Sequence, residues 1–371
     1  MSRAFQEPET RTPPKRKRKK KNKALKVICV IFLGLLGTGL ILAALGVGYF
    51  KNLLSTINFL PTDSGDTPII SNPAADISQP DEHVDLSHLE VRGNTSNITN
   101  ILLLGLDARD DSEYGRSDTM MIASINHKTK TVKLISLMRD TWATIPGCDY
   151  NGDGQDDYAK LNAAYSSGGF SLLQKTVKQN FRLDIDQYLA VNFDAFCVAV
   201  DAFGGLDVEL DDNVVTWIPA VDPGDPDRFA MDLNFNQIRE PIGYSAGTYH
   251  LQGFQALAFC RVRYAYPDSD YSRQQNQRKV VGLLIDKAKH SSPADLWSAA
   301  SGVLPQVTTN MTQSEIENYI VNVFKYSGYT VETEYHLPAA GQYSDLNLGS
   351  QGLWINDPES TVMALHEYIY G

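Results

Sequence analysis

From residue 101 to residue 371, short apolar runs alternate with longer stretches of helical spacing, and that alternation predicts most of the fold. Residues 101–107 are a compact apolar run ending in Gly-x-Asp, the mark of a buried strand. Residues 119–125 and 132–138 read as two more strands, with the polar residues 127–130 as the tip of a hairpin between them. Residues 171–182 place Leu172, Leu173, Val177 and Phe181 on one side of a helix. A strand at 188–193, a short helix capped by Asp194 and ending at Gly204 and Gly205, and a strand at 207–210 follow. Residues 211–247 show little pattern and read as a long loop, and 257–263 as a strand. Helices are expected at 272–289, 294–303, 312–326 and 359–370, with Ser272/Gln275 and Thr312/Glu315 at capping-box spacing. Strands mixed with helices, and a hairpin within the sheet, predict an α/β fold: a layered α-β-α domain with a central mixed sheet.

The start of the chain follows a different pattern. Residues 27–50 contain no charged residue. At ~1.5 Å per residue they span roughly 36 Å, enough for a bilayer core of ~30 Å. Residues 1–26 carry eleven Lys or Arg against two acids. The positive-inside rule therefore puts the N-terminus in the cytoplasm and everything after Phe50 outside the plasma membrane, in a single pass. A cleaved signal peptide is the competing reading, but the apolar run is long for one and no A-x-A site follows it. The organisation expected is a basic cytoplasmic segment (1–26), one N-terminal transmembrane helix (27–50) and an extracellular stalk rich in Pro, Ser, Asp and Asn (51–98). A main domain (99–290) and a C-terminal extension of helices and strands (291–371) complete it. Of the four cysteines, Cys29 lies in the apolar run, and the sequence assigns no pairing to Cys148, Cys197 and Cys260.

Residues 27–371 carry a net charge of −20 within a total of −11. Against that acidic background, arginines and two carboxylates recur at the ends of expected elements: Asp107, Arg109, Arg116, Asp118, Arg139, Arg261, Arg263 and Arg273. The guanidinium fork matches phosphate, and carboxylates among such arginines suggest a divalent cation shared with it, magnesium or manganese. In an extended segment Arg261 and Arg263 share a face. On a helix Arg273 and Gln277 do too, with Arg273 in the first turn where backbone N–H groups favour an anion. Asp107 and Asp118 come together if their strands pair. Asp140, next to Arg139, could orient that arginine or act as a base. For any one arginine a solvated surface role is the commoner expectation; six at element ends favour one diphosphate site.

A separate motif, DYNGDGQDD at 149–157, copies the first nine places of a calcium loop, with Asp149, Asn151, Asp153 and Asp157 as candidate ligands. Place twelve is Lys160, a poor ligand, so a solvated acidic loop is the competing reading.

The motifs GLDAR (105–109), GRSDT (115–119), MRDT (138–141), KLNAA (160–164), VNFD (191–194), FGGLD (203–207) and RVR (261–263) fall in order. Together they resemble the LytR-CpsA-Psr family over residues 100–289. The resemblance implies an extracellular enzyme that transfers a glycopolymer from a polyprenyl-pyrophosphate carrier onto peptidoglycan, leaving a phosphodiester. It implies that Asp107 and Asp118 hold magnesium, and that Arg116, Arg139, Arg261, Arg263, Arg273 and Gln277 hold the pyrophosphate. The family often has a second arginine at the place of Asn276. The lipid tail needs an apolar channel, for which helices around 171–182 and 280–284 are candidate walls. Two other readings stay open: a non-catalytic polyprenyl-phosphate-binding regulator, and a pyrophosphatase acting on the lipid-linked glycan. The basic N-terminal segment is too short for a DNA-reading fold and suits anionic lipid headgroups, so no nucleic-acid partner is expected. Teichoic acid, capsule and secondary wall polysaccharide all fit the linkage.

Overall fold

The computed structural model describes residues 52–62, 84–107, 116–149, 152–217, 245–263, 265–267, 270–322, 326 and 328–371. The chain divides into two compact units, Met1–Asn52 and Leu53–Gly371. The expected membrane segment at 27–50 lies outside the described residues, and no helix among those residues is long and apolar enough to cross a membrane.

In chain order the strands are β1 (Asn58–Phe59), β2 (Ile98–Asp107), β3 (Arg116–Asn126), β4 (Thr131–Leu137), β5 (Trp142–Thr144), β6 (Tyr158–Lys160), β7 (Gln187–Asn192), β8 (Leu206–Leu210), β9 (Gly247–Leu251), β10 (Val307–Thr309), β11 (Thr330–Leu337), β12 (Tyr343–Asn347) and β13 (Gln351–Ile355). The helices are α1 (Leu161–Phe181), α2 (Phe193–Ala202), α3 (Asp212–Trp217), α4 (Gly253–Arg261), α5 (Asp270–His290), α6 (Pro293–Val303), α7 (Gln313–Asn322) and α8 (Pro358–Tyr370).

Seven strands form one mixed sheet in the order β1-β10-β7-β2-β3-β4-β11. Its central strands are apolar on both faces because both faces are covered. Leu102, Leu104, Met120, Ile122, Ile135 and Leu137 pack with Leu172, Leu173, Val177 and Phe181 of α1 and Leu365 and Ile369 of α8. The alternate residues Leu103, Met121, Ala123, Val132 and Leu134 pack with Val281 and Ile285 of α5. The layered α-β-α architecture and the 127–130 hairpin are therefore as the hydrophobic pattern predicts. The expected boundary at 290 does not separate two bodies, because β10 and β11 complete the sheet. Part of the expected stalk joins it as well, through β1 against β10.

Several local expectations give way to packing. Residues 257–263 are not a strand: Gly253–Arg261 is a helix, opened by a reciprocal capping box between Gln252 and Gln255. The arginine pair at its end is thus not held by an extended face. Helix α5 begins at Asp270, so Ser272 lies inside its first turn and does not cap it. Asn192, not Asp194, caps α2, its side chain accepting from the Ala195 N–H. The predicted Thr312 and Glu315 box is present, each side chain bonded to the other's backbone N–H. Helix α1 starts ten residues before the periodic stretch and is broken at Gly168 and Gly169, the latter at φ 58. Its apolar face belongs to the core, so residues 171–181 do not wall a lipid channel.

Strands β2, β4, β7 and β11 run parallel to one another, with β3 antiparallel between β2 and β4. Their carboxyl ends, and the start of β3, meet at one end of the sheet, the usual place for a ligand in an open α/β sheet.

Candidate functional site

At that end lies a cavity of about 840 Å³. Asp107, Asp118, Arg139, Asp140, Arg261, Arg263, Arg273 and Gln277 all line it. The predicted convergence of distant residues is present. Arg109 lies outside the described residues, as does the side chain of Arg116, which opens β3.

Local structure explains each placement. The β2–β3 register shifts between Gly105 and Leu106, whose partners are Thr119 and Ser117. Asp118 is thus the extra residue of a β-bulge, a device that re-aims a side chain. Arg139 follows β4 directly, and its guanidinium donates to Oδ1 of Asp118. Its other close acids are Asp140, at 3.4 Å, and Asp270, at 4.0 Å. Burial acts against the Arg139 charge, but Asp118, Asp270 and Asp140 outweigh it and raise its pKa. The Asp140 carboxylate sits 3.1 Å from the Lys160 ammonium. Burial opposes its charge too, yet Arg139 and Lys160 hold it below the usual carboxylate range. Asp140 therefore orients its cations and is a poor base.

Asp270 is the residue that sequence reasoning missed. One carboxylate oxygen, Oδ1, lies 2.7 Å from Arg273, 3.5 Å from Arg263 and 4.0 Å from Arg139. Three cations from three segments share this one acid. The available signal was an acid in the first turn of a helix, three residues before Arg273. Arg273 remains under-neutralised: burial, with Arg139 and Arg263 nearby, pulls its pKa down to about 10 despite Asp270. Among the described residues its Nε has no hydrogen-bond partner, and the side chain is buried. Packed cations with unsatisfied donors are what an anion would complete. The Arg261 guanidinium lies over the Phe193 ring, 5.4 Å from its centroid, a cation–π contact that holds it at the cavity wall. Asn276, at the family's second arginine position, is buried against α4, where it approaches the Phe259 carbonyl.

Much of the remaining lining is apolar. Leu189, Phe196, Leu257, Val281, Leu284 and Val303 come from β7, α2, α4, α5 and α6. A smaller cleft of about 240 Å³ is bordered by Trp142, Tyr158 and Trp354. The amides of Asn180 and Gln179 there are already bonded to Thr144 and Asp156, so it has the character of a packing gap.

The calcium-loop residues lie apart from the main cavity's lining. Asp149 spends its carboxylate on the N–H groups of Gly152, Asp153 and Gly154, Asp157 is buried, and Asn151 lies outside the described residues. Among the described residues no group of three or more His, Cys, Asp or Glu is placed to hold a metal ion. Among the described residues Cys148, Cys197 and Cys260 form no disulfide; burial pushes the Cys197 thiol up to about 11 and raises the Cys260 thiol as well.

The LytR_cpsA_psr family matches residues 70–351. The chain belongs to the LytR-CpsA-Psr family. A polyisoprenyl-teichoic acid–peptidoglycan teichoic acid transferase TagU of Bacillus anthracis is 33% identical over 249 residues, covering 67% of this chain and 72% of that protein. The transferase TagV of Bacillus subtilis is 29% identical over 283 residues, covering 73% of this chain and 66% of that protein. Among solved structures, the protein gbs0355 of Streptococcus agalactiae aligns with a TM-score of 0.57 at 27% identity, over 74% of this chain and 87% of that one.

Proposed function

We propose that this family member is a membrane-anchored, extracellular phosphotransferase that moves an anionic glycopolymer from a polyprenyl-pyrophosphate carrier onto peptidoglycan. One observation carries the reading. A single cavity of about 840 Å³ joins an arginine cluster, centred on Asp270, to an apolar lining drawn from β7, α2, α4, α5 and α6. A diphosphate bonded to a prenyl chain has those two chemistries in that order. Transferases such as TagU and TagV among the relatives support glycopolymer transfer to peptidoglycan. The uncharged run at 27–50, flanked by its basic segment, supports the anchor and the orientation.

In this reading an acceptor sugar hydroxyl attacks the phosphorus bonded to the glycan. A new P–O bond forms to the acceptor as the bridging P–O bond breaks, and polyprenyl phosphate departs. Such transfer depends on positioning and charge neutralisation more than on covalent help from the protein. Arg139, Arg263 and Arg273 stabilise the oxygens where charge develops. Gln277 lines the same cavity, and one of the two aspartates Asp107 and Asp118 takes the hydroxyl proton. Asp107 and Asp118 stand on adjacent strands and line the cavity, and Arg139 donates to Oδ1 of Asp118. These hard oxygen donors fit magnesium or manganese. They would hold the ion, which when bound would neutralise diphosphate charge.

The test is purified protein incubated with lipid-linked glycan, peptidoglycan and magnesium. Glycan phosphate on peptidoglycan is the expected product. Free phosphorylated glycan would show a pyrophosphatase instead, and no product with retained lipid binding would show a regulator.

A further inference from the structure

The C-terminal extension reaches the site. Residues 139–141, which carry Arg139 and Asp140, present three successive carbonyls, and each is taken by a different neighbour. The Arg139 carbonyl accepts from the Asn162 N–H at 3.2 Å and the Thr141 carbonyl from the Leu161 N–H at 2.8 Å, both at the start of α1. The Asp140 carbonyl between them accepts from the Leu353 N–H of β13 at 2.9 Å. The other strand of that hairpin is fastened too, its Leu346 carbonyl accepting from the Trp142 indole at 3.0 Å. One step earlier, Met138 N–H donates to the Leu337 carbonyl at the end of β11. The arginine–aspartate pair is thus clamped between α1 and the extension.

The fit is close. A Cβ added at Gly352 would meet the Trp142 indole nitrogen at 2.5 Å and the Asp140 carbonyl at 2.9 Å. At the turn of the hairpin, Ser350 is exposed and lines the large cavity. Lys160, Asn162 and Ser166 line the same cavity, so part of its lining is polar where β7, α2 and α5 make it apolar. Hydroxyl, amide and ammonium groups suit a saccharide, which offers many hydroxyls to hydrogen-bond.

We propose that the β12–β13 hairpin is the saccharide-facing wall of this site and positions Arg139 and Asp140 for the reaction. Ser350 touches the sugar next to the phosphate, and Gly352 acts as a positioning residue through the Asp140 carbonyl. The inference rests on the transferase reading for its chemistry, but its test includes binding as well as turnover. The saccharide is either the donor polymer or the peptidoglycan acceptor.

The experiment compares the full chain with Ser350→Trp and Gly352→Ala. Calorimetry uses lipid-free glycopolymer, soluble peptidoglycan strands and inorganic pyrophosphate as separate probes; steady-state transfer gives kcat and KM. Ser350→Trp is expected to weaken one of the two saccharides at least fivefold, with pyrophosphate affinity and Tm unchanged. Which saccharide weakens identifies the source. Gly352→Ala is expected to lower kcat at least tenfold with KM changed less than twofold. Unchanged affinity for both saccharides in Ser350→Trp overturns the inference, whether or not the wild type transfers. Equal losses of pyrophosphate and saccharide affinity also overturn it, since they mark general disruption. Absence of wild-type transfer alone, with the saccharide effect present, defeats the transferase reading and leaves this one standing.

Discussion

Replacing Asp270 by Asn keeps the side chain's shape and removes the one negative charge that Arg139, Arg263 and Arg273 share. At an effective dielectric of about 20, unit charges at the observed 2.7, 3.5 and 4.0 Å attract by about 6, 5 and 4 kcal/mol. Desolvation and mutual repulsion of the guanidinia consume most of this. Removing one member of a buried ion pair costs ~3–5 kcal/mol in practice. With its side chain 18% exposed, Asp270 belongs at the lower end, about 3 kcal/mol. For a domain of this size that lowers Tm by roughly 4–6 °C. The same change frees three cations from a competitor for any bound anion, so pyrophosphate should bind the variant more tightly, by about tenfold or ~1.4 kcal/mol. Thermal melts with and without inorganic pyrophosphate measure both effects. Asp270→Asn should melt lower than wild type without ligand and gain more from it. An unchanged Tm together with an unchanged pyrophosphate shift would refute the view of Asp270 as the resident counter-ion of an anion site.

Arg139→Lys keeps the charge but loses the fork between Asp118 and Asp140; transfer kcat/KM should fall ~100-fold or more, measured with lipid-linked donor. Val281→Trp fills the apolar lining; KM for a long-chain donor should rise while inorganic pyrophosphate affinity, read by calorimetry, stays put. His336 is held neutral by burial and by Arg278, which pull its pKa from 6.5 down to about 4. Above 6.5 both folded and unfolded chains are neutral there. Below it the unfolded chain takes up a proton that the folded one refuses, so stability falls as pH drops from 6.5 to 4, by up to about 3 kcal/mol. Denaturant melts of His336→Gln across that window should show a shallower pH dependence than wild type.

The core strands were legible because burial on both faces leaves uninterrupted apolar runs, as at 101–107. The arginines were legible because a −20 background makes them stand out. What stayed hidden depends on partners far along the chain. The segment at 257–263 reads as a strand by composition, yet its apolar residues Ala258, Phe259 and Cys260 pack with β8 and α5 as one side of a short helix. Asp270 looks like any acid opening a helix until Arg139 and Arg263 arrive from distant segments. The hairpin at 343–355 has no strong alternation, because its packing surface is one Trp-centred cluster of Trp142, Tyr158 and Leu348. The bulge that turns Asp118 is a property of register, which single-strand periodicity does not record.

The order of strands in the sheet has a consequence for biogenesis. Strands β2, β3 and β4 are neighbours in sequence and can zip locally, whereas β1 waits for β10 at residues 307–309 and β4 waits for β11 at 330–337. Both borders of the sheet therefore stay open until residues 307–309 and 330–337 have been made. Unpaired borders invite pairing with other chains, and long-range closure is slow. A nascent copy is most in need of a chaperone while β2, β3 and β4 have emerged and β10 and β11 have not.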